Sequence, residues 1–115
     1  MAKMVVIYNT PKDVAAFKRH YFEVHVPLAK LLPGLKKYCV SRDPMAGRSI
    51  GDMPYMVAIL HFDTMDDIKA AFSSDVGKAC AADRRLFAPD DADSTMLLFD
   101  EDEIWFSDFK FKQRA

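Results

Sequence analysis

The chain has 115 residues, half of them hydrophobic and 29% charged, with 16 basic against 17 acidic side chains and a net charge of −1. That is one globular domain with room for a single core, and its balance excludes the basic field that draws a protein to nucleic acid or an acidic membrane. Its opening apolar run is too short for a signal peptide and no run approaches a membrane span, while Cys39 and Cys80 lack metal or redox spacing, so buried free thiols in a cytoplasmic, reducing setting are expected.

Met4 to Tyr8 is a continuous apolar run rich in β-branched residues and closed by Asn9, Thr10 and Pro11, which predicts a first strand. Thr10 then reads as a helix N-cap, with Pro11 at the first helical position and Asp13 in the first turn. Val14, Phe17, Tyr21, Val24 and Leu28 recur at three- and four-residue steps, the buried stripe of one long helix that Leu32-Pro33-Gly34 ends. Leu35 to Arg42 is expected as the second strand and residues 43–54, with two glycines and two prolines, as a mobile loop. Tyr55 to Phe62 is the third strand. Asp63-Thr64 caps a second helix, Ser73-Ser74-Asp75 splits it, and Val76 to Phe87 continues it. After the linker Pro89 to Asp93, Thr95 to Phe99 is the last strand.

The order is βαββαβ, an α+β ferredoxin-like antiparallel sheet with its helices on one face. A sheet with one wet face alternates apolar and polar residues. Here Val5 and Ile7 oppose Met4, Val6 and Tyr8, and Tyr55, Val57 and Ile59 oppose Met56, Ala58 and Leu60, so both faces are apolar. The helices cover one face, and the other would expose more apolar surface than soluble monomers carry. A second copy packed sheet against sheet solves this. The expected assembly is a homodimer closed as an α+β barrel.

Tyr21-Phe22, His25, Pro27-Leu28, Pro33-Gly34 and Tyr38 follow one another in an order that resembles the first helix and second strand of the EthD family, within the dimeric α+β barrel superfamily. Pro54-Tyr55, Phe62-Asp63 and Asp83 to Phe87 carry the likeness onward, so that it spans residues 4 to 100. The resemblance implies the dimeric barrel and a pocket between sheet and helices in each protomer. The family takes its name from a gene cluster for degrading ethyl tert-butyl ether. Related barrels include lactone isomerases, polyketide cyclases, haem-degrading enzymes and cofactor-free monooxygenases, and fold does not choose among these. Segment 101–115, with Ile104, Trp105, Phe106, Phe109 and Phe111, lies outside the likeness and reads as an arm packed on the partner or over the pocket mouth.

His25, at the flank of the helical stripe, is the first catalytic candidate. One role is a general acid/base, a transfer that typically contributes roughly 10²–10⁴ in rate. The other is a structural ring closing the helix end. Asp83 is either its tuning partner or a solvated surface carboxylate. Tyr8, Tyr21, Tyr55, Leu28 and Phe87 are expected to line an apolar pocket, or else to be ordinary core. His20 reads as a partly exposed surface histidine, and His61 as an ordinary structural side chain or else as lining the barrel interior or the dimer interface. At five residues apart, about 140° around an α-helix, His20 and His25 do not share one ion, so no metal is expected. No GxGxxG or P-loop occurs and nothing marks a haem ligand, so no cofactor is expected. The partner expected is a small apolar or aromatic organic ligand, with no nucleic acid and no membrane. Three functions stay open: isomerase- or cyclase-like acid/base chemistry on an oxygenated molecule of catabolism or secondary metabolism, a non-catalytic ligand-binding accessory, and a cofactor-free monooxygenase.

Overall fold

In a computed structural model, which describes residues 1–105 and Ser107, the sheet is built around β1 (Ala2–Tyr8). It pairs antiparallel with β3 (Met56–Phe62) on one side and β4 (Ser94–Asp100) on the other, and β2 (Lys37–Val40) adds to the far edge of β3. The strand order is β2-β3-β1-β4. The helices α3 (Met65–Ser73) and α4 (Asp75–Phe87), and the run from α1 (Val14–His20) through a π-helical segment (Tyr21–His25) to α2 (Val26–Ala29), cover one face. The ferredoxin-like α+β arrangement expected from the residue pattern is the one observed.

Period-two side chains set which face is buried. Ala2, Met4, Val6 and Tyr8 stand opposite Phe62, Leu60, Ala58 and Met56, and all eight are buried under the helices. The other face carries Val5 and Ile7 beside Ile59 and Val57, only half covered, with Leu97 and Phe99 of β4 exposed. Strand β4 is bare on both sides: Met96 and Leu98, which share the helix-side face with Val6 and Met4, are 49% and 43% exposed because the helices stop short of it. Both faces of the sheet are therefore apolar, and one chain covers one of them.

Helix ends follow side-chain capping. Thr64 accepts the Asp67 N–H, and Ser74 accepts the Gly77 N–H while closing α3. The first helix begins later than expected: Asp13, not Thr10, is its N-cap, accepting the Ala16 N–H at 3.0 Å. Gly34 takes φ 78°, the left-handed turn glycine allows, where the chain swings from α2 back to β2. Cys80 is buried and Cys39 half-buried, both as free thiols. No helix among the described residues is long and apolar enough to cross a membrane. The expected arm lies largely outside the described residues; Ile104 and Trp105 are described and exposed.

The stripe of the first helical run differs most from expectation. Its buried residues are Phe17, Tyr21, His25, Ala29 and Leu32, whereas Val14 and Val24 are exposed and Leu28 is only half-buried. The cause is the π turn. Pro27 has no N–H for the Glu23 carbonyl, and its ring would press on that carbonyl in a regular α-helix. The chain widens instead, with the Val26 N–H bonding Tyr21 O five residues back. That rotates every later side chain, so a four-residue step replaces the three-four alternation and His25 moves from the flank to the buried centre.

Candidate functional site

The π turn and α4 together build a polar cluster inside apolar walls. Asp83, 8% exposed on the inner side of α4, uses both carboxylate oxygens: Oδ2 lies 2.8 Å from His25 Nδ1 and Oδ1 lies 2.8 Å from His20 Nε2. An ionised carboxylate only accepts, so both ring nitrogens donate. His25 is thereby held with its proton on Nδ1, and its Nε2 makes no hydrogen bond among the described residues. The ring is fixed from the sides as well. Phe87 meets it edge-on at 4.8 Å between centroids and Tyr21 at 5.4 Å.

A cavity of about 160 Å³ lies beside this ring, between the sheet and the helices. Its polar lining is His25, Tyr8, Tyr21, Tyr38, Arg84 and Cys80, and the rest is apolar. Tyr21 and Tyr38 share a hydrogen bond between their hydroxyls at 2.6 Å. A separate depression of about 400 Å³ opens outside, where α1 meets the end of α4, and His20 and Phe87 line it. The His20–Asp83–His25 cluster thus stands between an inner cavity and an outer hollow.

Burial sets the protonation states. It holds the His25 pKa below the ordinary histidine value; the Asp83 bond and charge oppose this, while His20 and Arg84 reinforce it. His25 is consequently a neutral ring able to accept a proton on Nε2. Burial pushes the phenols of Tyr8, Tyr21 and Tyr38 upward, so all three are neutral donors, and it raises the Cys80 thiol, with Asp83 adding to the effect. Cys80 is a thiol and no nucleophile.

The three phenols give a pH prediction. Their folded pKa values lie above the unfolded value of about 10, so the unfolded chain releases these protons first. The stability they contribute is complete below pH about 10 and is lost as pH climbs through the folded values. Urea midpoints are expected to fall above that pH, with three tyrosines ionising only as the protein unfolds. Ionisation of those three in the native protein near their ordinary pH would contradict it.

Of the residues singled out from the sequence, His25, Asp83, Tyr8, Tyr21 and Phe87 come together here. Tyr55 does not line the cavity: it precedes β3, its ring turns edge-on to Phe17 at 5.7 Å, and it faces a groove beside Lys18 and Phe22. Leu28 is likewise displaced, its place taken by Ala29 through the π turn. His20, expected as a partly exposed surface histidine, is partly exposed, and it also shares one carboxylate with His25, because the wide turn closes the angle a regular helix would keep open. Tyr38, Arg84 and Cys80 join through tertiary packing. His61 sits half-buried on the outer sheet face between Lys3 and Lys37, whose charges, after partial burial, lower its pKa.

Comparison with known proteins shows the family and the fold. The chain is 34% identical over 105 residues to an uncharacterized 11.0 kDa protein of the thcB-thcC intergenic region of Rhodococcus erythropolis, covering 90% of this chain and 98% of that protein. It superposes with a TM-score of 0.77 and 31% identity on an ethyl tert-butyl ether degradation (EthD) family protein from Bacillus halodurans, covering 88% of this chain and 98% of that one. At the level of fold alone, it matches a dimeric ferredoxin-like protein of Thermobifida fusca with a TM-score of 0.62 and 18% identity, covering 85% and 88% of the two chains. The model of the EthD domain matches residues 9–91, which include every member of the His20–Asp83–His25 cluster, and the chain belongs to the EthD domain family.

Proposed function

We propose that the protein binds a small oxygenated organic molecule in the inner cavity and moves a proton on it with His25, without a cofactor. One observation carries this reading: a buried imidazole whose Nδ1 is pinned by Asp83, whose Nε2 makes no hydrogen bond among the described residues, and which lines a cavity together with neutral phenols. The roles follow from the groups. A phenol O–H of Tyr8 or Tyr38, with the charge of Arg84 near, binds a ligand oxygen; Nε2 accepts the proton of an adjacent acidic C–H or O–H and returns it to another atom of the same molecule. Asp83 keeps the imidazole in the accepting tautomer and stabilises the imidazolium once formed. Isomerisation is this transfer from one atom to another; in an aldol-type cyclisation the carbanion it leaves attacks a carbonyl of the same molecule, the carbonyl π bond breaks, and the alkoxide so formed takes the proton back.

The working unit in this reading is a homodimer. The half-covered outer sheet face, with Leu97 and Phe99 of β4 exposed on it, supports it, and a second copy laid sheet to sheet would cover that face.

Native mass spectrometry tests the reading in one experiment. The expected species is a dimer carrying a discrete organic mass. His25→Gln is expected to retain that mass and lose turnover of the molecule it identifies. Binding with no turnover by the wild type would make the protein a ligand-carrying accessory, and oxygen consumed in step with turnover would make it a monooxygenase. A bare monomer at micromolar concentration would overturn the assembly.

A further inference from the structure

Nothing in acid/base work by His25 alone calls for His20, yet His20 spends its Nε2 on the same carboxylate. The two rings differ in setting. His25 is 8% exposed and faces the inner cavity, whereas the His20 side chain is 30% exposed and lines the outer hollow. One carboxylate between two imidazoles balances one positive charge. The wetter ring holds it at lower cost, since the desolvation that opposes an imidazolium is smaller there.

We propose that His20 is a proton exchanger for His25: as His25 Nε2 takes a proton from a bound molecule, His20 releases one from its Nδ1 to solvent in the outer hollow, and the reverse step resets the pair. The inference rests on the acid/base reading of His25. The balance is complete in protons and moves no electrons. The ligand loses one proton, Nε2 gains it, Nδ1 of His20 loses one to water, and Asp83 stays ionised throughout with a hydrogen bond to each ring. The cluster keeps a constant charge, so the cavity need not open to water between proton removal and return. Without the exchange, two imidazolium rings would face one carboxylate across two 2.8 Å contacts, and their repulsion would oppose the deprotonation His25 is there to perform.

The charged and titratable groups around His25 are Tyr21 and His20 on its own helical run, Cys80, Asp83 and Arg84 on α4, with the Cys80 thiol held neutral by burial, and Tyr8 and Tyr38 from the sheet across the cavity. Arg84 is permanently charged and the phenols are neutral, so His20, which lines the outer hollow, is the neighbour placed to exchange a proton with solvent.

Ring-nitrogen NMR titration of the ligand-free protein tests the coupling. In the wild type, His20 and His25 are expected to titrate as a coupled pair, each curve broadened by the other. His20→Gln keeps an N–H to bond Asp83 and removes the charge; the His25 titration should move up by about one pH unit, the size of one like charge nearby. His20→Arg keeps both bond and charge, and His25 should then titrate low in a single simple step. A purely structural His20 would leave the His25 curve in the Gln variant superimposed on the wild type, and that result would overturn the proposal. The readout is independent of turnover: if His25 proves not to be a catalytic base, the failure appears in the assay of bound substrate and not in these curves.

Discussion

Replacing Tyr21 with alanine is expected to remove about 4 kcal/mol of stability, within the 3–5 kcal/mol range for deleting a buried aromatic ring. Tyr21 is wholly buried, and its ring meets Tyr8 at 5.6 Å, Phe17 at 5.9 Å, Phe87 at 5.8 Å and His25 at 5.4 Å. These neighbours come from β1, α1, α4 and the π-helical segment itself, so no single element can shift to fill the space. One effect works the other way: the vacated volume joins the 160 Å³ cavity, where water can bond the hydroxyls left behind. That softens the loss without reversing it. Tyr21→Phe separates ring from hydroxyl, and forfeiting the bond to Tyr38 should cost about 1 kcal/mol. Against the 5–15 kcal/mol total of an ordinary domain, the alanine variant should be near unfolding at physiological temperature while the phenylalanine variant is not. Urea titrations decide it. An alanine variant within about 1 kcal/mol of the wild type would show that the ring is not part of the closed core.

The same residue shows how far the sequence could be read. Tyr21 was legible as buried because Phe17 and Tyr21 stand four apart before the π turn begins. Past it, α-helical spacing assigned Val24 and Leu28 inward, and the structure buries His25 and Ala29 instead. The one sequence signal for this was Pro27, which a regular helix tolerates poorly. Strands were plain: the apolar run Met4–Tyr8 and the almost unbroken one Tyr55–Phe62 announced a sheet with two apolar faces, Thr64 announced a helix start, and Ser73-Ser74-Asp75 a break. Asp83 could be named as a candidate partner for His25, because an acid in an apolar stretch of helix invites the question. That it would also hold His20, 63 residues away, depends on the angle at which α4 crosses the π turn, and no local pattern encodes that angle. Tyr38 and Arg84 belong to the same class: each is ordinary in its own segment and meets the cavity only through packing.

That crossing depends on Gly77, where alanine is expected to cost about 2–3 kcal/mol. In an exposed helix the same change gains about 1 kcal/mol, because alanine loses less chain entropy and has the better helix propensity. Here space decides the sign. A Cβ on Gly77 would lie 2.3 Å from the Ala71 carbonyl oxygen and 2.5 Å from the Phe72 Cα, both backbone atoms of α3 that cannot swing aside as a side-chain tip would. The absence of a side chain is what lets α4 start hard against the end of α3, with Ser74 closing one helix and capping the next through the Gly77 N–H. Overpacking of a tight core typically costs 1–3 kcal/mol, and an overlap with main chain belongs at the upper end. The strain must be relieved by α4 moving away. That movement carries Asp83 and Arg84, two turns further along the same helix, relative to a His25 anchored on a different one. The 2.8 Å bonds to both histidines would lengthen together, so Gly77→Ala should loosen the coupled histidine titration as well as lower the urea midpoint. A variant as stable as the wild type, with the two histidines still coupled, would mean that α3 and α4 are not in contact at this point and that something other than their junction sets the position of the carboxylate.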